Sequence, residues 1–420
     1  MMAGTVLTDA AGAVLGEAAK AMAVARRPIA GRRSRPERDR PRVTILQRRL
    51  VQYRVGLFER LREECDKAGI ELRVVYGQPS PSDATRNDSG RLSWADEVHS
   101  RWFTVRGTEL LWQPCPRRAR HADLVVLTQE IKILSNYPIQ IRRMVGRNRP
   151  GRRRVAYWGH GRNLQSAAPD GLRERWKGLF TKQVDWWFAY TGETRHFLEG
   201  QGYPADRITV LDNAIDNEAF LADLAAVSDD TLAELRRSID LPPGAPLGIY
   251  CGALYVDKRV DLLAEVARRV HAREPSFRLV VIGDGPARAE LEAQLADCPW
   301  AHLVGARTGM DKAAWFRLAT VQISPGAVGL HVLDSFASGV PLFTTDNARH
   351  GPEIDYVDNG ANGFVVADDP DVMSKAILDL LADDERRAAV VAAARRAADR
   401  YTLANMTANF VAGIQACLER

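Results

Sequence analysis

The sequence predicts an α/β fold made of two doubly wound, Rossmann-like domains that face each other across a cleft. From residue 42 onward, short β-branched apolar runs alternate with longer segments of helical period. The alternation pauses near 208–220, and a second series of the same kind opens at 241–246. Apolar runs of this length between helices are typical of parallel strands covered on both faces. Such sheets bind ligands beyond the carboxyl ends of their strands, so the cleft is the expected site.

The first series of elements defines an N-terminal domain over 42–212. Its first predicted strand is 43–47, and the helix after it is 55–69, where Phe58, Leu61 and Cys65 share one face. Further strands are predicted at 71–77, 102–105, 123–127, 154–158 and 186–190.

The second series defines a C-terminal domain over 213–401. Its strands are predicted at 247–252, 278–283, 301–305, 321–325 and 341–345. The last segment, 402–418, places five apolar residues on one stripe and predicts an amphipathic helix. These residues are Leu403, Met406, Phe410, Ile414 and Cys417.

Composition excludes several classes of protein. The chain has 420 residues, of which 46% are hydrophobic and 26% charged, and this excludes disordered, collagen-like and disulfide-scaffold proteins. Its five cysteines never occur as CxxC, which argues against a zinc site and for a reducing compartment. No apolar run approaches the roughly 18 residues of a membrane span, and the N-terminal arginines follow the apolar part, unlike a secretory signal. We therefore expect a cytoplasmic protein.

The net charge of +5 is unevenly placed. Residues 1–41 are predicted to form a flexible basic tail that includes the Arg-Pro stretch 26–42 and one short Ala-rich helix at 11–25. The second basic stretch, 142–154, fits either a solvated loop or a surface that contacts anionic lipid head groups, and both interpretations stay open. A partnership with nucleic acid is not expected, because no aromatic-rich module or helix-turn-helix spacing accompanies the charge.

The segment 323–346 is the strongest candidate for a binding site. A strand, a glycine-containing loop and a helix predicted to start at Gly329–Leu330 would leave free N–H groups that suit a phosphate. Asp334, one turn into this helix, can accept hydrogen bonds from the paired hydroxyls of a ribose. The alternative is an ordinary connection between a strand and a helix.

Other candidates follow other strands. Lys258 and Arg259 follow the turn at Gly252 and can together neutralise a diphosphate, although such a pair in a loop is often only solvated. Gly283 lies in a second glycine turn, 281–286. Glu353 either caps its own helix or holds ligand hydroxyls.

In the first half, His160 lies between two glycines just after a predicted strand. A histidine in this setting has few apolar neighbours in sequence, and loop tips at the carboxyl ends of strands are where functional sites accumulate. We therefore expect His160 to belong to a site.

Together these motifs resemble glycosyltransferase family 4, whose members are retaining enzymes of the GT-B fold. The matching pieces are the GxL…K turn at 252–258, 281–286, the VGA turn at 304–306, the run at 329–341 and the PEI…NG segment at 352–363. The segment 212–216 matches the piece that usually closes the first domain. The similarity covers most of 43–418 and is stronger after 208.

The resemblance implies a reaction and roles. A nucleotide-diphosphate sugar would bind the C-terminal domain, and a saccharide or lipid-linked acceptor the N-terminal domain, without a metal or other cofactor. Lys258, Arg259 and the helix start at Gly329–Leu330 would stabilise the departing diphosphate, Asp334 would hold the ribose, and His160 would approach the donor sugar or the acceptor hydroxyl. The helix at 402–420 would cross back to the first domain. Surface polysaccharide or glycolipid synthesis, with peripheral contact to an anionic membrane, is the expected setting.

Two positions depart from the family pattern. Gly326 stands where the first of two family glutamates would face the donor sugar, with Asp334 in place of the second. Ala253 replaces an arginine, whose charge Arg259 would restore. The alternatives are therefore a non-catalytic protein that binds a nucleotide sugar or polysaccharide, and a nucleotide-sugar epimerase, which the transferase-like spacings disfavour.

Overall fold

The computed structural model describes residues 40–84, 88–105, 107–116, 118–145, 152–161 and 180–420. The predicted helix at 11–25 and nearly all of the predicted tail lie outside these residues. Two parallel sheets, each with helices packed on it, form the structure. Nowhere in these ranges is a helix both long and apolar enough to cross a bilayer.

The first sheet has seven parallel strands in the order β3-β2-β1-β6-β7-β8-β9. Its strands are β1 (Arg42–Arg49), β2 (Glu71–Gly77), β3 (Asp96–Val98), β6 (Leu124–Thr128), β7 (Arg154–Gly159), β8 (Trp186–Ala189) and β9 (Ile208–Val210). Helices cover both faces of this sheet, so its central strands are the nearly continuous apolar runs seen in the sequence. The short strands β3 and β9 were not predicted.

The predicted strand 102–105 was placed wrongly. It lies in β4 (Arg101–Val105), which pairs antiparallel with β5 (Thr108–Trp112) in a separate two-stranded hairpin. The turn between them contains Gly107, whose φ of +73° is in the left-handed region that glycine favours. The aromatic and β-branched residues of this run therefore form a ribbon with one exposed face, not a buried strand.

The second sheet has six parallel strands in the order β12-β11-β10-β13-β14-β15. They are β10 (Leu247–Cys251), β11 (Arg278–Ile282), β12 (Ala301–Gly305), β13 (Val321–Ile323), β14 (Leu342–Thr345) and β15 (Gly363–Val366). The strand predicted at 321–325 ends two residues early. Pro325 has no N–H group to continue the ladder, and the chain leaves the sheet before it.

Helices and 3₁₀ turns connect the strands. The helices are α1 (Val55–Lys67), α2 (Pro81–Ala84), α3 (Asn136–Val145), α4 (Gly192–Gly200), α5 (Asn217–Ala226), α6 (Asp229–Ser238), α7 (Val260–Arg273), α8 (Arg288–Gln294), α9 (Gly309–Leu318), α10 (Val332–Ser338), α11 (Pro370–Leu381), α12 (Asp384–Arg400) and α13 (Leu403–Glu419). The 3₁₀ turns are Gln52–Arg54, Arg118–His121, Ala205–Arg207, Val256–Lys258 and Pro352–Tyr356.

One of the apolar clusters spans the two halves of the molecule. Helix α13 packs on the first sheet, where Phe410 stacks on Phe188 with 4.5 Å between ring centroids and meets Trp158 edge-on. The same core continues into the second half through Phe336 of α10. Tyr401 follows α12 and stacks on Tyr356 at 3.7 Å, which brings the turn Pro352–Tyr356 to the junction.

Candidate functional site

The loop after β13 lies against the turn Val256–Lys258. The Ala327 N–H donates to the Asp257 carbonyl at 2.9 Å, and the Lys258 ammonium donates to the Ala327 carbonyl. A Cβ atom on Gly326 would lie 2.3 Å from the Lys258 carbonyl carbon and 2.4 Å from the Asp257 oxygen. Only glycine fits this contact, so the family glutamate cannot be accommodated at position 326 in this arrangement.

The Lys258 side chain reaches the loop after β13. Burial lowers the pKa of its ammonium, opposed in part by Asp257. In the part of the chain that the structure describes, no carboxylate oxygen lies within 4.0 Å of its nitrogen. A half-buried ammonium that meets only a carbonyl keeps donors for an anion.

Two histidines that the sequence reasoning missed contact the same loop. His331 Nε2 is 2.9 Å from the Ser324 hydroxyl, and His350 Nδ1 accepts from the Val328 N–H at 3.1 Å. Burial, together with the charge of Lys258, lowers the pKa of both histidines, that of His331 to about 3. Lys258 and two histidines whose lowered pKa values favour the neutral form thus surround one loop. Their sequence signal was weak, because His350 is 22 residues from its partner.

The helix after this loop starts later than predicted. Its first residue is Val332, and Gly329 and Leu330 lie in the preceding turn, where their carbonyls accept from the Val332 and Leu333 N–H groups. The expected helix start at Gly329–Leu330 is therefore wrong by two residues. This turn follows Ala327, whose carbonyl accepts from Lys258, so Lys258 and the Gly329–Leu330 turn lie beside the same loop.

Arg259 does not join Lys258. Its backbone is left-handed, with φ of +51°, and its guanidinium donates to Asp368 at 2.8 Å and to Asp261 at 3.1 Å. The hydrogen bond that Arg259 donates to Asp261, against a smaller effect of burial, raises the pKa of Arg259. The predicted joint neutralisation of a diphosphate by the two cations is not what this geometry shows, because two carboxylates already compensate the arginine.

Asp334 forms a buried ion pair. Its Oδ1 accepts from Lys312 of α9 at 2.8 Å, and the Lys312 ammonium lies 4.2 Å from the centroid of the Phe220 ring. Burial disfavours the charge of Lys312, but the Asp334 carboxylate outweighs it and raises the lysine's pKa. The pair fixes the direction of the carboxylate that was predicted to hold a ribose.

The glycine turns after β10 and β11 lie against each other. The Gly252 N–H donates to the Ile282 carbonyl at 2.9 Å. A Cβ atom on Gly283 would lie 1.9 Å from the Gly252 oxygen, and its φ of +147° is equally restrictive. Close backbone packing therefore requires glycine at 283, whatever ligand the edge takes.

Glu353 joins the two halves of the molecule and does not cap its own helix. Its Oε1 accepts from the Asn213 amide at 2.5 Å, while the Tyr356 hydroxyl donates to the Asn213 carbonyl at 3.0 Å. Burial raises the pKa of Glu353. Its Oε2 faces the loop, 3.8 Å from where a Cβ of Gly329 would lie. The side chain therefore reaches the wall that holds Lys258.

On the first-half side, His160 follows β7 at the edge of an aromatic group. Its ring lies 6.1 Å from that of Tyr190, which in turn meets Trp158 edge-on. The Arg54 guanidinium lies over Trp158 at 5.0 Å and Tyr190 at 5.7 Å. The charge of Arg54 also lowers the pKa of Glu353, against the larger effect of burial. Arg54, which the sequence reasoning missed, thus lies between the two halves.

The second basic stretch is partly structural. Arg143 and Arg152 both donate to Asp185, at 2.8 Å and 2.6 Å, and the pKa of this carboxyl falls far below its usual range because these bonds outweigh burial. These residues lie at the amino ends of β7 and β8. The rest of the stretch, 146–151, lies outside the described residues.

Metal ligands are not clustered in the described ranges. Within them, no group of three or more His, Cys, Asp or Glu side chains is placed to hold a metal ion.

Comparison with known proteins finds similarity to sugar transferases. The sequence model described as "Glycosyl transferases group 1" matches residues 245–383. The chain is 29% identical to sulfoquinovosyl transferase SQD2 of Arabidopsis thaliana over 47% of its own length and 38% of the relative. It is 28% identical to a GDP-mannose-dependent alpha-(1-6)-phosphatidylinositol dimannoside mannosyltransferase of Mycobacterium tuberculosis over 41% of this chain and 45% of the relative. The chain therefore spans less than half the length of these relatives.

The fold is similar to that of a solved structure, Anabaena Alr3699/HepE in complex with UDP. The TM-score is 0.62 at 14% sequence identity, and the match covers 89% of this chain and 99% of the other. At this identity the similarity shows the shared fold, with two Rossmann-like halves. The predicted α/β architecture is thereby confirmed.

Proposed function

We propose that this chain, which is similar to group 1 glycosyltransferases and has the GT-B fold, moves a sugar from a nucleotide-diphosphate sugar to a hydroxyl of a saccharide or lipid-linked saccharide. The transfer would retain the anomeric configuration. The observation that supports this most is the meeting of Lys258, His331 and His350 around the loop at 324–331, with no carboxylate partner for the lysine among the described residues.

In this proposal, Lys258 and the loop beside it stabilise the departing diphosphate. Lys258 donates to the phosphate oxygens as negative charge develops on them, and the buried setting strengthens the interaction relative to water. The Val328 N–H and His350, which bond each other in the structure, lie beside it. Lys258 supplies the positive charge that a metal ion supplies in other transferases, so the reaction would need no metal.

Asp334 and Glu353 would hold hydroxyl groups of the donor. The Lys312 pair fixes Asp334 Oδ1, which leaves Oδ2 to accept from a ribose. Glu353 Oε2 points toward the Gly329 turn and can accept from the sugar. This placement compensates for Gly326, whose missing side chain would have faced the sugar in the family pattern.

The acceptor would enter from the N-terminal half, over 42–212, and the donor would occupy the C-terminal half, over 213–401. His160 and Arg54 then lie between the two substrates, next to Tyr190. A lipid-linked acceptor is consistent with the printed name of the mycobacterial relative, which acts on a phosphatidylinositol dimannoside. Glycolipid or surface polysaccharide synthesis is therefore the proposed setting.

A second candidate is a non-catalytic protein that binds a nucleotide sugar or a polysaccharide. The observation in its favour is the departure at Gly326 and Ala253, because a fold does not fix a function. Binding of a donor without any turnover would distinguish it.

The test is donor turnover across a panel of nucleotide sugars, first with the wild type. We expect Lys258→Ala to lower turnover by about a hundredfold or more, as loss of a charge-stabilising donor does. Asp334→Asn should raise the donor KM about tenfold, as loss of one charged hydrogen bond does. The matched controls are Lys375→Ala and Asp379→Asn, which break an exposed pair on α11. Unchanged rates in both site variants would refute the assignment.

A further inference from the structure

The hairpin β4–β5 presents an apolar face that nothing in the sugar-transfer site uses. Residues directly opposite in an antiparallel pair share a face, and three such pairs lie on one side of this hairpin. These pairs are Arg101 with Trp112, Phe103 with Leu110, and Val105 with Thr108. Phe103 is 48% exposed, Val105 45% and Trp112 39%.

The other face of the hairpin is the one that packs against the protein. Leu111 is fully buried there, and its backbone bonds both Lys132 and Leu134 of the segment after β6. Trp102, on this side, donates from its indole to the Gln78 carbonyl. The hairpin is therefore fixed in position, and the outward direction of its apolar face is set by the fold.

The hairpin stands at the carboxyl edge of the first sheet. The Gln113 amide, just after β5, donates to the Gln47 carbonyl near the end of β1 at 2.9 Å. The Ser100 hydroxyl, just before β4, accepts from the Gln78 N–H, next to the last residue of β2, at 3.0 Å. This is the edge from which an acceptor would enter.

We propose that this face docks on the surface of an anionic lipid bilayer. Tryptophan and phenylalanine beside arginine are the side chains that settle at a membrane interface, and the six side chains of the face include one cation, Arg101, and no carboxylate. This inference rests on the proposed function in one respect, because it supplies a route for a lipid-linked acceptor.

Size argues against a second protein as the occupant. Two strands of five residues span about 17 Å by about 10 Å at ordinary strand spacing. The resulting patch of roughly 170 Å² is far below the roughly 800 Å² per partner of a standard interface. An interfacial hairpin needs no such area, since insertion by about 5–10 Å buries apolar side chains directly in lipid.

Two arginines of the basic stretch 142–154 are paired within the protein. Its Arg143 and Arg152 already pair with Asp185 at the amino edge of the sheet, opposite the hairpin. The proposal therefore assigns the membrane contact to the hairpin and not to these two arginines.

The test is co-sedimentation of the full chain with vesicles of phosphatidylcholine, with and without phosphatidylglycerol. We expect binding to the anionic vesicles that falls at least tenfold in Phe103→Asp/Trp112→Asp. The matched control is Leu221→Asp/Val372→Asp, two residues of similar exposure, 45% and 44%, on α5 and α11. This control pair should bind like the wild type. Absence of wild-type binding, or equal loss in the control, overturns the proposal.

Two further readouts keep the result interpretable. If Phe103→Asp/Trp112→Asp does not fold, Trp112→Phe is used instead. Brominated lipid in the vesicles should then quench the tryptophan fluorescence of the wild type more than that of Trp112→Phe. A wild-type dimer that the hairpin variant dissociates would assign the face to a second copy and overturn the proposal. Donor hydrolysis without vesicles should be unchanged in the hairpin variant. Vesicle binding without donor turnover in the wild type would instead refute the proposed function alone.

Discussion

Replacing Gly326 with alanine tests how the candidate site is assembled. The added Cβ would lie 2.3–2.4 Å from three backbone atoms of Asp257 and Lys258, which cannot move as a flexible side chain does. The loop must therefore separate from the turn Val256–Lys258. Overpacking of this kind costs about 1–3 kcal/mol, and the hydrogen bond from Ala327 to Asp257 is worth about 1 kcal/mol more.

We expect Gly326→Ala to lose about 2–4 kcal/mol of unfolding free energy in urea and most of its donor binding, because Lys258 moves with the turn. The control is Gly200→Ala. Gly200 ends α4 and has no atom within 4 Å of the added Cβ, so its replacement should be neutral or slightly stabilising. Gly326→Glu, which restores the family residue, should inactivate the protein. Wild-type stability and donor binding in Gly326→Ala would refute the close contact between loop and turn.

Three further predictions concern the buried charged groups. The pKa of His331 is about 3 in the folded protein and near its ordinary value in the unfolded chain. The free energy of unfolding should therefore fall as the pH drops from 7 to 5, by up to about 2 kcal/mol more in the wild type than in His331→Asn. Equal falls in the two proteins, measured by urea denaturation at each pH, would contradict this. Asn213→Ala removes the donor to buried Glu353 and should lower the free energy of unfolding in urea by about 1–3 kcal/mol. Unchanged stability would refute the contact between the two halves at this pair. Lys312→Met leaves Asp334 unpaired and should lower the free energy of unfolding by about 1–3 kcal/mol. Adding Asp334→Asn to this variant should restore part of that loss. If the losses of the two single variants simply add in the double variant, the pair is not coupled.

Much of the fold follows from local sequence pattern. Most strands of the two sheets were predicted because they are short apolar runs in the sequence, and the buried strands Leu124–Thr128 and Leu247–Cys251 are of this kind. The short strands β3, β9 and β15 were not predicted. The hairpin shows the limit of that reasoning. The run at 102–105 has the composition of a buried strand, and only its antiparallel partner and the turn at Gly107 decide otherwise.

The site was harder to predict because its contacts are distant in sequence. Lys258 and Gly329 were identified from glycine turns after strands, and the fold does bring these two turns together. In sequence Arg259 is equivalent to its neighbour Lys258, because the carboxylate that pairs with it, Asp368, is 109 residues away. Glu353 meets Asn213 across 140 residues. No local pattern reports such pairs, so the roles of individual charges needed the structure.

Titration calorimetry of UDP, GDP and ADP tests the central claim, which is that a diphosphate binds where Lys258 meets the loop after β13. We expect at least one nucleoside diphosphate to bind the wild type, and its Kd to rise tenfold or more in Lys258→Met while Lys375→Met leaves it unchanged. Equal affinity in all three proteins would contradict the claim, and so would the absence of binding by any of the diphosphates.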